Sequence, residues 1–204
     1  YLFHIKEKLY QKMKISIVQP FIAHYRESFY IKLSKHIDFD IFCAELPKQK
    51  DAFQISSNLK VNKLNTISLR GFVFLNILNN KLLKNKVIVL NFNPRWLFAH
   101  VLLFAKIFLR KKIILWTHGI SIQHGFNPKS MRDKIKIILF NLADGVCFYT
   151  KNELELFSKY LSKPKLFYIN NTLDVEKINK NYRNLQKTKE EIKKKYKIDS
   201  SRVV

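Results

Sequence analysis

The feature that most constrains the fold is a regular alternation of short apolar runs with longer segments of helical periodicity. The runs are rich in Ile, Val and Phe, and several are apolar at consecutive positions, which is typical of strands covered by helices on both faces of a parallel sheet. The predicted strands are residues 14–19, 39–43, 65–69, 86–92, 112–117, 145–149 and 166–170. This alternation predicts an α/β domain with a doubly wound, mostly parallel sheet of about seven strands, a Rossmann-like fold.

Segments of helical periodicity lie between these runs. The predicted helices are residues 25–36, 72–84, 94–110, 130–143 and 151–161. Thr150 and Glu153 have the spacing of a capping box, so a helix is expected to begin directly after the sixth strand. Pro94 suits the first turn of the helix that follows it, because the missing N–H has no partner to lose there.

The two ends of the chain differ in composition from the middle. Residues 1–13 mix charged and apolar side chains and are predicted to form an N-terminal extension to a Rossmann-like domain at residues 14–174. In residues 175–204 Lys, Asn and Glu dominate, which predicts a basic linker with a solvated helix. The chain turns apolar again at its last residues, so a further domain is expected to follow.

The formal net charge of +23 favours binding to phosphates, on nucleic acid, anionic lipid or a nucleotide-linked substrate. A lysine-rich bias from an AT-rich genome explains the same charge without a partner, and both explanations stand. No secretory signal is visible, and the most apolar stretch, residues 96–109, is shorter than the roughly 20 residues of a membrane span. The expectation is a cytoplasmic protein, with peripheral contact at the inner face of the cell membrane left open.

Missing motifs exclude several classes of enzyme. The chain has only four glycines, which cannot form a G-x-G-x-x-G fingerprint or a P-loop, so dinucleotide oxidoreductases and NTPases are disfavoured. Cys43 and Cys147 each lie in an apolar run and are predicted to be small buried side chains. The spacing of His, Cys and carboxylates predicts no metal site.

Polar side chains follow four of the predicted strands, at the edge where open α/β sheets bind ligands. His118, after the fifth strand, is the predicted catalytic residue because imidazole can orient or deprotonate a hydroxyl near neutral pH. The guanidinium groups of Arg26 and Arg95 can each bind a phosphate or carboxylate, and Tyr25 can stack on a sugar. Purely structural roles remain open for all four. The predicted substrate-binding residues are Tyr25, Arg26, Asn93, Arg95, Gly119 and Asn171.

Five segments, taken in order, carry a family resemblance. They are QPFIAHYRESFYIKLSK, VLNFNPRW, KKIILWTHG, ADGVCFYTKNELELF and FYINNTLD. Their order and spacing resemble the N-terminal half of GT-B type glycosyltransferases of the large family-4-like group, especially bacterial enzymes that build surface polysaccharides. The resemblance covers residues 14–174.

The resemblance implies two Rossmann-like domains, of which this chain is the acceptor-side one, while a missing C-terminal domain binds the nucleotide-sugar. It implies that His118 lies near the transferred sugar, that Tyr25 and Arg26 lie in the first loop, and that Asn93 and Arg95 lie on the acceptor side. The implied reaction moves a hexose to a surface-polysaccharide or lipid-linked acceptor, with retention and without a metal or other cofactor. The chain alone is expected to be incomplete and inactive.

Two other functions are alternatives. A lone domain could be a non-catalytic binding module for a lipid-linked glycan or an anionic membrane. Since relatives often act on lipid-linked acceptors at the inner membrane surface, the resemblance also leaves open that the apolar segments 72–84 and 96–110 dock there, with ordinary packing of these helices on the sheet as the alternative. A basic nucleic-acid-binding domain is disfavoured, because the sequence has no recognisable DNA- or RNA-reading motif and no aromatic platform interleaved with arginines. No nucleic-acid partner is therefore expected.

Overall fold

The computed structural model describes residues 14–44, 59–75, 80–121, 123–162, 164–170 and 175–196 of the chain. The chain divides into two compact units, Tyr1–Asn171 and Thr172–Val204. In its described part, the first unit is an α/β domain built on a seven-stranded parallel sheet. The predicted fold class is therefore confirmed.

Nine strands occur in the described residues. They are β1 (Ile15–Gln19), β2 (Phe39–Ala44), β3 (Val61–Leu64), β4 (Thr66–Leu69), β5 (Phe72–Leu75), β6 (Val87–Asn91), β7 (Lys112–Thr117), β8 (Gly145–Phe148) and β9 (Lys165–Tyr168). Seven form the parallel sheet in the order β3-β2-β1-β6-β7-β8-β9, while β4 and β5 form a separate antiparallel hairpin. The strand order reverses at β1, because β2 and β3 lie on one side of β1 in the sheet and β6 to β9 lie on the other side.

Helices connect most of the consecutive strands. They are α1 (Glu27–Leu33), α2 (Asn80–Lys84), α3 (Leu97–Ala105), α4 (Met131–Leu142), α5 (Lys151–Ser158) and, in the second unit, α6 (Val175–Tyr196), with a 3-10 turn at His24–Arg26 before α1. Ser130 caps α4, and Thr150 with Glu153 forms the predicted capping box of α5. In the described residues, no helix combines the length and the apolar character that crossing a membrane requires.

The hydrophobic core lies on both faces of the sheet, which explains the continuous apolar runs in the sequence. Neighbouring residues of β1 point to opposite faces, so Val18 packs in the large cluster that includes α3, α4 and α5, whereas Ile17 packs with Tyr30 of α1. Cys43 and Cys147 are free and buried, as predicted.

Some predicted elements are wrong. The helix predicted at residues 72–84 is a strand, β5, followed after an undescribed stretch by the short α2. Arg70 and Gly71 both have positive φ, as a two-residue hairpin turn requires, and this turn pairs β5 with β4. The strand predicted at residues 65–69 is not part of the parallel sheet, because residues 66–69 pair in the hairpin and β3 takes that place in the sheet. Pro94 precedes α3 instead of lying in its first turn.

Candidate functional site

A cavity of about 640 Å³ opens at the carboxyl edge of the sheet, where the strand order reverses between β1 and β6. Segments that follow β1, β6, β7 and β8 line it. A crevice forms at such a reversal because the loops after the two adjacent strands leave in opposite directions. The lining includes the predicted residues Tyr25, Arg26, Asn93, Arg95, His118 and Gly119. Asn171 lies outside the described residues.

Tyr149, directly after β8, contacts both aromatic and polar groups of the site. Its ring stacks on Trp116 and on His118, with centroid distances of 5.5 and 4.1 Å. Its hydroxyl oxygen accepts hydrogen bonds from Arg26 Nη2 at 3.0 Å and from Asn91 Nδ2 at 3.2 Å. Burial raises the pKa of Tyr149, although the Arg26 cation opposes this rise. Tyr149 therefore keeps its O–H at neutral pH, as a donor for a ligand.

Arg26 joins the loop after β1 to the aromatic residues of β7 and β8. Its guanidinium carbon lies 5.3 Å from the Trp116 ring centroid and 5.2 Å from that of Tyr149, within cation–π range. Its Nη1 lies 3.5 Å from Gln19 Oε1. Among the described residues, buried Gln19 Nε2 has no hydrogen-bond partner, so the cavity wall contains a donor with unused capacity.

A carboxylate stands beside the imidazole of His118. Glu153 Oε2 accepts from the backbone N–H and the hydroxyl of Thr150, each at 3.0 Å, while Oε1 lies 3.6 Å from His118 Nδ1. This distance is longer than a hydrogen bond. The Glu153 side chain is 9% exposed and that of His118 is 60% exposed. The capping box of α5 thus fixes a carboxylate on the Nδ1 side, which leaves Nε2 for a ligand.

The backbone that follows His118 is tightly held. Gly119 has φ +69°, and a Cβ on it would lie 2.5 Å from Phe157 Cε2 and 3.0 Å from Phe148 Cε1. Lys136 Nζ donates to the Gly119 carbonyl oxygen at 2.6 Å and to Asp133 Oδ1 at 2.8 Å. Rings of the core and a buried lysine therefore fix the loop that carries the imidazole.

The wall of the cavity is cationic. Arg26, Arg95, Arg132 and Lys136 line it, and no Asp or Glu of the described chain does so. Asp133 is fully buried behind two of them and accepts from Arg132 Nη2 at 2.9 Å and from Lys136. Burial alone would raise the pKa of Asp133, but these hydrogen bonds outweigh it and hold the pKa well below 3.8. The remaining positive charge suits a phosphate or a carboxylate.

No protein-family model matches the chain, and no curated protein sequence matches it. The glycosyltransferase resemblance therefore stays an expectation drawn from the five segments quoted above. Residues of the first four line the cavity or follow the strands that end at it. In the part of the chain that the structure describes, no three His, Cys, Asp or Glu side chains gather as metal ligands would.

Sequence reasoning missed four residues of this site. Tyr149 is the last residue of the strand predicted at 145–149, whereas the observed strand ends at Phe148 and leaves Tyr149 at the edge where the cavity lies. Glu153 was recognised only as a capping residue. Arg132 and Lys136 had no local signal, because they lie in α4 and reach the cavity through the packing of that helix on the sheet.

Proposed function

We propose that this chain is the acceptor-side part of a glycosyltransferase, which moves a hexose from a nucleotide-sugar to a surface-polysaccharide or lipid-linked acceptor with retention of configuration. The observation that best supports this function is the cavity at the reversal of the strand order, whose lining includes His118, Arg26 and Arg95. The reaction takes place in the cytoplasm, at the inner face of the cell membrane, where such acceptors are available.

In this function His118 orients the reacting hydroxyl groups. Glu153 stabilises one orientation of the ring from the Nδ1 side, so that Nε2 hydrogen-bonds to a sugar hydroxyl. Tyr149 stacks on the imidazole and restricts its rotation further. A ring that is already oriented loses little freedom when the sugar binds, so the binding energy can lower the barrier to transfer. The imidazole acts by positioning and not by covalent attack.

The cationic wall binds the phosphates of the substrates. Arg95 is exposed, and it is free to reorient toward a phosphate of a lipid-linked acceptor or of the nucleotide-sugar. Arg132 lies further along the same lining. The nucleotide itself is held by a second domain, which is part of the proposal, and the reaction requires neither a metal nor another cofactor.

A non-catalytic binding module for an anionic glycan is the second candidate. The observation that favours it is the cation-lined cavity, which would bind a phosphorylated or carboxylated sugar without any chemistry. The two candidates differ in turnover and not in the ligand.

Transfer by the complete gene product tests the proposal, with labelled nucleotide-hexoses as donors and a membrane lipid extract as acceptor. His118→Ala is expected to lower turnover by about 10²-fold or more, because one oriented hydrogen-bonding group is lost in the transition state. His36→Ala is the matched control, since its side chain is exposed and does not line the cavity. Normal turnover by the His118 variant would contradict the role of the imidazole. A wild type that binds glycan phosphates in the cavity but never transfers hexose would support the binding module.

A further inference from the structure

Helix α3 and the turns at residues 106–110 carry large apolar side chains on the outward side as well as the inward one. The inward residues are in the core and are Phe98, Ala99, Leu102 and Leu103. The outward residues Val101, Phe104, Ile107 and Phe108 are 50%, 63%, 77% and 90% exposed. A helix that is apolar all round is typical of a helix covered on every side.

The hairpin of β4 and β5 also has its apolar face turned outward. Ile67 pairs with Phe74, and Leu69 pairs with Phe72, so these four side chains share one face. All four are exposed, whereas Val73 on the opposite face is buried in the core. A hairpin on a water-exposed surface normally has the reverse arrangement, with polar side chains outward.

Helix α3 adjoins both the hairpin and α4. The backbone N–H of Val73 donates to the carbonyl oxygen of Arg95 at 2.9 Å, and α3 packs beside both β5 and α4. Helix α4 adds further exposed apolar side chains. The outer apolar surface, as we name it, comprises Ile67, Leu69, Phe72, Phe74, Val101, Phe104, Ile107, Phe108, Met131, Ile135 and Ile138. Large exposed apolar side chains on adjoining elements mark a surface that meets a partner or a membrane.

The chain segments that carry this surface are strongly basic. Residues 52–132 contain thirteen Lys or Arg and no Asp or Glu. Arg70 at the tip of the hairpin, Arg110 after Phe108 and Lys134 on α4 lie within a few residues of its apolar side chains in the chain. Both acidic residues of the described stretch 80–144 pair with cations, Asp133 with Arg132 and Lys136 and Asp144 with Lys106 and Lys112.

We propose that the outer apolar surface docks peripherally on a lipid bilayer that contains anionic lipids. Exposed Phe, Ile and Leu side chains enter the boundary between headgroups and acyl chains, while the flanking Arg and Lys contact lipid phosphates. Arg70, Arg110 and Lys134 lie close in the chain to these apolar side chains, and their charge favours a bilayer of anionic lipids as the occupant of the surface. Docking also keeps the cavity near the bilayer, because Arg95 both lines the cavity and bonds to the hairpin. The proposal does not depend on glycosyl transfer.

Co-sedimentation of the full chain with vesicles tests this docking. The wild type should bind vesicles of equal parts phosphatidylglycerol and phosphatidylcholine at least about tenfold more tightly than phosphatidylcholine alone. The double variant Phe104→Ser with Phe108→Ser should bind the anionic vesicles at least about tenfold more weakly, because two inserting rings are lost. Both side chains are exposed, so the variant is expected to keep its circular dichroism spectrum and melting temperature.

The matched control is Ile178→Ser with Tyr182→Ser in α6, where two exposed apolar side chains lie on one face of a basic helix. This control should bind the anionic vesicles within about twofold of the wild type. Loss of binding in the control and not in the Phe variant would overturn the proposal, because α6 would then be the membrane contact. Absence of wild-type binding would also overturn it. So would light scattering that shows a dimer abolished by the Phe variant, since the surface would then join two copies of the chain.

Discussion

Replacing Gly119 with alanine should destabilise the domain through two separate effects. The residue has φ +69°, a conformation that costs an L-residue about 1–2 kcal/mol. The new Cβ would also lie 2.5 Å from Phe157 Cε2, closer than any unstrained contact, and overpacking of this kind costs about 1–3 kcal/mol. The expected loss of unfolding free energy is therefore about 2–5 kcal/mol, which lowers the melting temperature of a chain of this size by roughly 10 °C.

The neighbouring rings cannot move aside easily. Phe157 and Phe148 are both fully buried, and their rings stack 5.1 Å apart. Phe157 also packs edge-on against Phe140, with a centroid distance of 5.4 Å. A shift of one ring would disturb three residues of the core, so the packing cost should lie in the upper part of its range.

Gly125→Ala is the matched control, since Gly125 has φ +62° and no atom within 4 Å of a Cβ built on it. It carries the conformational cost alone. Urea unfolding followed by circular dichroism measures both variants, and their difference, about 1–3 kcal/mol, gives the packing cost. Equal losses in the two variants would refute the reasoning about the core rings.

Three further predictions concern a helix cap, a buried ion pair and the two cysteines. Thr150→Ala should cost about 1 kcal/mol in urea unfolding, because the hydroxyl accepts from the backbone N–H of Glu153, and an unchanged midpoint would argue against the cap. Asp133→Asn should cost about 3 kcal/mol at neutral pH, since it leaves a buried lysine without its carboxylate. The pKa of Asp133 is lowered from 3.8, so the stability that its carboxylate contributes is complete above that pH and is lost as the pH falls. The difference in melting temperature between variant and wild type should therefore shrink in acid, and a difference that stays constant with pH would contradict this. Burial raises the pKa of Cys43 to about 12 and that of Cys147 to about 11. A thiol reagent at neutral pH should therefore label neither cysteine in the native chain and both in denaturant. Rapid labelling of the native chain would be inconsistent with this packing.

The parallel strands could be predicted because their signal is local. Strand β7 has the predicted bounds, and α4 differs from its prediction by one residue at each end. The run of β7 is apolar, and Ser130 caps α4, so in both segments the local sequence pattern favours the same element as the packing does. The hairpin could not be predicted, since its outward face is as apolar as a buried one and its sequence also fits a helical spacing.

The candidate site could be predicted only in part. Residues that follow parallel strands meet at one edge of the sheet, and this rule predicts that His118, Arg26 and Arg95 lie close together. All three line the same cavity. Two of the groups that hold the His118 loop, Phe157 and Lys136, come from helices instead. Lys136 reaches the carbonyl of Gly119 from 17 residues away, a contact that depends on how α4 packs and leaves no trace in local pattern.

The interior position of β1 in the sheet affects how the domain folds while the chain is being synthesised. On the ribosome β1, β2 and β3 emerge together, but the other neighbour of β1 begins only at Val87. At a synthesis rate of about 5–20 residues per second, the backbone groups on one side of β1 stay without their hydrogen-bond partners for several seconds. During that interval the nascent sheet ends in an open strand that could pair with another chain. Once β6 is in place, each later strand is added to a single growing edge, so the domain is completed in the direction of its own synthesis.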